Sequence, residues 1–155
     1  VKALSLRQPW AHAVVHLGKT IENRYWNTHL RGAFLIHAAK GMTVDEYLDA
    51  VLFCDEVLGR TTPARSIVAT GEMPQPKALL RGGFVGRARL VGVLPPCTPK
   101  GAEPTLFAQE CAHPWHMPEQ YGFRLEGIEP LPFVPYAGSL GFFDVPEAVL
   151  RQVLP

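Results

Sequence analysis

Residues 17–32 read LGKTIENRYWNTHLRG, and the placement of this stretch decides the fold. Gly18 suits the end of a helix, because glycine reaches the left-handed backbone region that closes one. Thr20, Glu22 and Arg24 follow at intervals of two. On a strand they share one face, with Ile21 and Asn23 on the other. Lys19 lies in the turn and can reach in toward the same face. A lysine and an arginine flanking a carboxylate make a polarised group. The cations can hold a phosphate or polarise a carbonyl, and the carboxylate can accept a proton or a base amino group. The plain alternative is a ladder of surface ion pairs, which contributes little.

Before this stretch, KALSL (Lys2–Leu6) reads as a short strand, and Pro9 suits the first turn of a helix carrying Trp10, Val14 and Leu17 at helical spacing. After it, the largely apolar run GAFLIHAAKG (residues 32–41) reads as a buried strand. Thr43 with Glu46 forms a capping box for a helix whose apolar stripe runs through Val44, Tyr47, Leu48, Val51, Leu52 and Leu58. Residues 59–83 and 95–118 are irregular and proline-rich, the first with one short helix expected. Phe84–Leu94 reads as a strand with Arg87 and Arg89 on one face. Tyr121–Leu125 and Leu131–Val134 read as two strands separated by EGIEP, AGSLGFFDV turns into a last strand, and Pro146 opens a closing helix.

Five or six strands and about three helices, unevenly interleaved, argue against a doubly wound parallel sheet. They predict an α+β fold, a small, partly closed β-barrel with helices on its outside. No internal repeat or linker splits residues 1–155, so one domain is expected. Apolar residues make up 47% of the 155, which disfavours disorder, and the net charge of +1 disfavours a wholesale grip on duplex DNA. Cys54, Cys97 and Cys111 are odd in number, widely spaced and lack any CxxC pair. They are expected to be structural or incidental thiols, with neither a zinc knuckle nor a disulfide framework. Reduced thiols, no secretory signal and no run of ~18 apolar residues predict a soluble cytoplasmic protein without membrane partner.

The stretch LSLRQPWAHAVVHLGKTIENRYWNTHLRGAFLIHAAKG (residues 4–41) resembles the opening of an ASCH domain, a family with a PUA-like barrel. Its signature of glycine, lysine, glutamate and arginine falls on Gly18, Lys19, Glu22 and Arg24, one spacer residue shorter between glycine and lysine. GSLGFFDV (Gly138–Val145) resembles the last strand of bacterial members, and Phe84–Leu94 more loosely resembles the central one. The resemblance implies an RNA- or nucleotide-binding module. It also admits an enzyme, because one ASCH branch removes acetyl groups from acetylated cytidine with a lysine, a threonine and a glutamate. Lys19 matches that lysine, but the threonine falls at Glu22, and no downstream glutamate among Glu103, Glu110 and Glu119 aligns.

Other residues join the candidate set. Trp10 and Trp26 flank the motif, and single-stranded RNA is read by stacking bases on aromatic planes. Trp10 serves the core or the pocket equally well, and the polar residues after Trp26 favour the rim. Gln8 can contact a base edge or satisfy the turn before Pro9. His37, within the apolar run, is either a hydrogen-bonded core residue or, at a barrel mouth, a proton-transfer group. Lys40 lies just beyond it, and the glycines around Ser139 can bring backbone donors close to a ligand. HPWH (His113, His116) has metal-like spacing, but only Cys111 is near as a third ligand, so no metal and no cofactor are expected. The expectation is a Lys/Glu/Arg cleft for single-stranded RNA or a modified nucleoside. The alternative is a metal-independent hydrolase of RNA or of an acylated nucleoside, with Lys19 and Glu22 as its catalytic pair. Nothing in the sequence points to a protein partner.

Overall fold

The computed structural model describes residues 1–154. Its elements in chain order are β1 (Lys2–Leu6), α1 (Trp10–His16), β2 (Ile21–Arg24), β3 (Gly32–Ala38), α2 (Val44–Val57), β4 (Gly83–Leu94), β5 (Tyr121–Pro135), β6 (Phe142–Asp144) and α3 (Glu147–Val153). The strands form a six-stranded sheet in the order β2-β5-β4-β3-β1-β6. Only β1 and β3 run parallel, with Ser5 opposite His37; every other pairing is antiparallel. Apolar side chains of β1, β3, β4 and β5 fill the concave face around Leu4, Phe34, Ala88 and Phe123, with Val14 of α1 packed among them.

The edge strands β2 and β6 share no backbone ladder, and side chains close the seam instead. Trp26, just past β2, sets its ring edge-on against Phe123 of β5 and Phe142 of β6, with centroids 5.2 and 6.0 Å apart. Arg24 donates to the Ser5 carbonyl on β1 at 2.6 Å. The result is a curled, six-stranded half-barrel with three helices, an α+β fold of the PUA-like kind that the sequence predicts. Among the described residues no helix is long and apolar enough to cross a membrane.

Three expectations need correction. The segment EGIEP does not break the chain into two strands, for β5 runs through it. Gly127, at φ +57°, and shifts of register against β4 absorb the irregularity as bulges. The buried face of α2 is Tyr47, Ala50, Val51 and Cys54, the i, i+3, i+4, i+7 stripe. Val44, Leu48 and Leu52 form an adjoining stripe that stays exposed. The capping box of Thr43 and Glu46 is complete.

The third correction concerns cysteine. Cys97 and Cys111 are joined in a disulfide, and Cys54 is a buried free thiol. The partners lie in an irregular segment whose backbone pairs through an isolated bridge between Thr98 and Glu110. No periodic pattern in the sequence announces that approach.

Asn23 ties this segment to the sheet. Its side-chain amide donates to the Trp115 carbonyl at 2.9 Å, and its oxygen accepts from the Met117 amide at 2.8 Å. Asn23→Ala removes both bonds and leaves two backbone groups without their partner. The expected loss is about 2–3 kcal/mol in urea unfolding, the scale of unsatisfied buried polar groups. Faster amide exchange at Met117 should accompany it. A loss below about 0.5 kcal/mol would show that residues 115–117 hold without the asparagine.

Candidate functional site

The motif residues converge, and Glu22 is the hub. Its Oε1 accepts from Arg24 Nε at 3.0 Å, and its Oε2 lies 3.4 Å from Lys19 Nζ. The Lys19 ammonium also donates to the Ile21 carbonyl and lies 5.3 Å from the centre of the Trp10 ring. Although it lies in a turn, Lys19 is 1% exposed: its aliphatic stem and its charge are both enclosed. The Gly18 turn, at φ +74°, folds the lysine back beneath α1 rather than out to solvent. Burial pushes the Lys19 pKa below its ordinary value, and the Glu22 charge opposes that shift. Arg24 retains partial exposure, and its guanidinium carbon lies 5.8 Å from the centre of the Trp26 ring. Trp26 is 36% exposed, at the rim.

A cavity of about 880 Å³ opens beside this cluster, across β1. Ser5, His37, Lys40, Arg81, Tyr136 and Ser139 help to line it. Ser5 joins cluster and cavity, since its carbonyl accepts from Arg24 and its hydroxyl faces His37 Nδ1 at 2.9 Å. The other ring nitrogen, Nε2, lies 2.8 Å from the Tyr136 carbonyl. A carbonyl only accepts, so Nε2 carries the hydrogen and Nδ1 accepts the Ser5 hydroxyl proton. Desolvation lowers the His37 pKa, partly offset by that carbonyl. Gly138 covers the pair so closely that a Cβ there would lie 2.5 Å from both Ser5 Oγ and His37 Cε1. Lys40 is exposed at the rim, and Arg81 donates to the Lys40 carbonyl at 2.9 Å.

The candidate residues therefore divide into two neighbouring groups. Lys19, Glu22, Arg24 and Trp10 form the buried cluster. His37, Lys40 and Ser139 line the cavity. Gln8 is 2% exposed, and its amide is engaged by backbone, donating to Leu80 and accepting from His12. Trp10 packs edge-on against Phe53 at 5.6 Å. Ser5, Arg81 and Tyr136 were not singled out from the sequence. Ser5 left one faint signal, a polar residue set between the apolar Leu4 and Leu6. Arg81 and Tyr136 reach the site only through the sheet's curl. His116 is turned to the Gln120 carbonyl at 2.6 Å, and Cys111 is in the disulfide.

The sequence model of the ASCH domain matches residues 4–132. The chain belongs to the ASCH family. The family lies within the PUA-like superfamily, which agrees with the curled sheet, and it points to RNA as the general class of ligand. No curated protein matches this chain. In this ASCH domain the signature residues Lys19, Glu22 and Arg24 form one connected ion cluster, and Asn23, between the last two, faces the opposite way.

Two outcomes are expected. Lys19→Ala takes a cation from buried Glu22, which keeps Arg24, so the loss should fall near the low end for broken buried pairs, about 3 kcal/mol. Chemical denaturation checks this, and a loss under about 1 kcal/mol would mean that the ammonium adds little. For His37, the folded pKa lies below the unfolded value of 6.5. Between the two, the unfolded chain binds more protons, so this stability is present above pH 6.5 and is lost as pH falls through the folded pKa. NMR titration of the ring should give a midpoint below 6.5; one above it would contradict the assigned burial.

Proposed function

We propose that this ASCH domain binds single-stranded RNA or a modified nucleoside in the cavity beside the Lys19–Glu22–Arg24 cluster. The observation that carries this reading is the cavity itself, about 880 Å³, with Lys40 and Arg81 at its mouth and Ser5, His37 and Ser139 as polar groups. That volume suits one nucleotide-sized ligand. Lys40 and Arg81 supply charge for phosphate, and Trp26, backed by the Arg24 guanidinium, offers a plane for a neighbouring base. Lys19 and Glu22 act from behind, holding Arg24 and hence the Ser5 wall. The net charge of +1 fits a short ligand held by few phosphates.

A hydrolytic reading has one specific observation in its favour, the Ser5–His37 pair. A hydroxyl donating to a neutral imidazole that is itself oriented by a carbonyl has the arrangement of an activated nucleophile. On an acylated nucleoside, Ser5 Oγ would attack the acyl carbon as His37 Nδ1 takes its proton. The bond from the acyl carbon to the nucleoside nitrogen would break, with His37 returning the proton to the leaving amine. Water would then hydrolyse the acyl-serine to free Ser5 and a carboxylic acid. This reading moves the chemistry from Lys19 and Glu22 to Ser5 and His37.

Fluorescence anisotropy with a labelled single-stranded oligoribonucleotide tests the binding proposal, and chromatography of an incubated acylated nucleoside scores turnover separately. Two or three phosphate contacts predict a slope of about −1.5 to −2 for log affinity against log salt. Lys40→Ala and Arg81→Ala should each flatten it by about 0.7. Unchanged affinity and slope in both variants would move RNA away from the cavity. Turnover that is abolished by Ser5→Ala while binding persists would establish the hydrolytic reading.

A further inference from the structure

A second site lies on the far side of Asn23, in the segment that the disulfide closes. Cys97 Sγ has two polar neighbours besides its bonded sulfur. His116 Nδ1 is 3.4 Å away and the Met117 carbonyl is 3.6 Å away. His116 Nε2 lies 2.6 Å from the Gln120 carbonyl and must carry the ring hydrogen, so in the neutral ring Nδ1 is an acceptor. Both neighbours of the sulfur therefore accept hydrogen bonds. A disulfide sulfur has no hydrogen to give them, whereas a thiol has one. His116 is 6% exposed and Cys97 8%, so water does not readily take that place. The pocket around Cys97 is thus matched to a thiol, or to a thiolate beside a protonated imidazole, and not to a bonded sulfur alone.

The two sulfurs are unequal. Cys97 is buried, while Cys111 is partly exposed. Glu110 and Ala112, on either side of Cys111, line a cavity of about 680 Å³ together with His113, His116 and Arg124. Backbone bonds from Thr98 to Gln109, and from Cys111 to Thr98, bring the two cysteines together by contacts other than the disulfide itself. Asn23 holds residues 115–117, and so His116, in place.

We propose that Cys97–Cys111 is a reversible thiol–disulfide exchange site whose co-substrate is a dithiol reductant, with Cys111 the sulfur attacked and Cys97 the leaving thiolate received by His116. A thiolate of the dithiol attacks Cys111 Sγ, the Cys97–Cys111 bond breaks, and its electron pair goes to Cys97 Sγ. Protonated His116 then holds or protonates that thiolate. The second thiolate of the reductant attacks the mixed disulfide and releases Cys111. The protein gains two electrons and two protons, and the dithiol leaves as its disulfide. Exchange is fastest when the leaving thiol is the more stable thiolate, which is the role of the imidazole here. His113 and Arg124, cationic when charged, and the acidic Glu110 are the other ionisable groups that line the cavity.

Reduction of the native protein by dithiothreitol, followed by iodoacetamide quenching and intact-mass measurement, tests the step. Wild type should be reduced without unfolding, with Cys111 alkylated before Cys97. H116Q should slow reduction at least five-fold. A second measurement does not depend on the disulfide: in C111S, thiolate absorbance near 240 nm should titrate Cys97 well below the ordinary thiol value of about 8.5. In C111S/H116Q the midpoint should move back toward it. Wild type that resists the reductant while folded, equal reduction rates in H116Q, or an ordinary Cys97 midpoint in C111S would each overturn the proposal.

Discussion

The Arg24 guanidinium closes what the backbone leaves open. The sheet ends in two edges, β2 and β6, and no ladder joins them. From β2, Arg24 reaches back to Glu22 with one nitrogen and forward to the Ser5 carbonyl with another. Such charge-assisted bonds contribute about 1.5–3 kcal/mol each in favourable settings. A lysine at this position could not span both partners in one plane. Glu22 must be charged and buried to hold Arg24, and Lys19 supplies the second cation that makes its burial tolerable. Trp26 completes the seam with apolar contact.

This arrangement explains why a four-residue strand serves two places at once. Period-two alternation sends Glu22 and Arg24 to the cluster behind the Ser5–His37 wall, and sends Asn23 to the irregular segment that carries the disulfide. The polar cavity and the cysteine pair lie on opposite sides of one short strand. Strain or disorder in β2 would reach both.

Much of this was legible in the sequence because it rested on local regularity. The Thr43–Glu46 box, the spacing of Glu22 and Arg24, and the apolar run into His37 each follow from a short repeat, and the structure has the cap, the shared face and the buried strand that they imply. The features that were not legible depend on contacts between distant parts of the chain. Ser5 and His37 meet through parallel pairing 32 residues apart, and Gly138 joins them only when the last loop folds over. The burial of Lys19 depends on α1, whose Trp10 roofs it. The disulfide joins two irregular positions, and β5 passes through a glycine and a proline that read locally as a turn.

Amide hydrogen exchange in Arg24→Gln tests the central claim, that this guanidinium organises the seam and the cavity wall and is not a general stabiliser. The account predicts exchange at least about ten-fold faster in β1 and residues 135–141, equivalent to about 1.4 kcal/mol of local opening. The amides of α2 should keep their wild-type protection. Acceleration by one common factor throughout the protein, or no acceleration in β1, would contradict it.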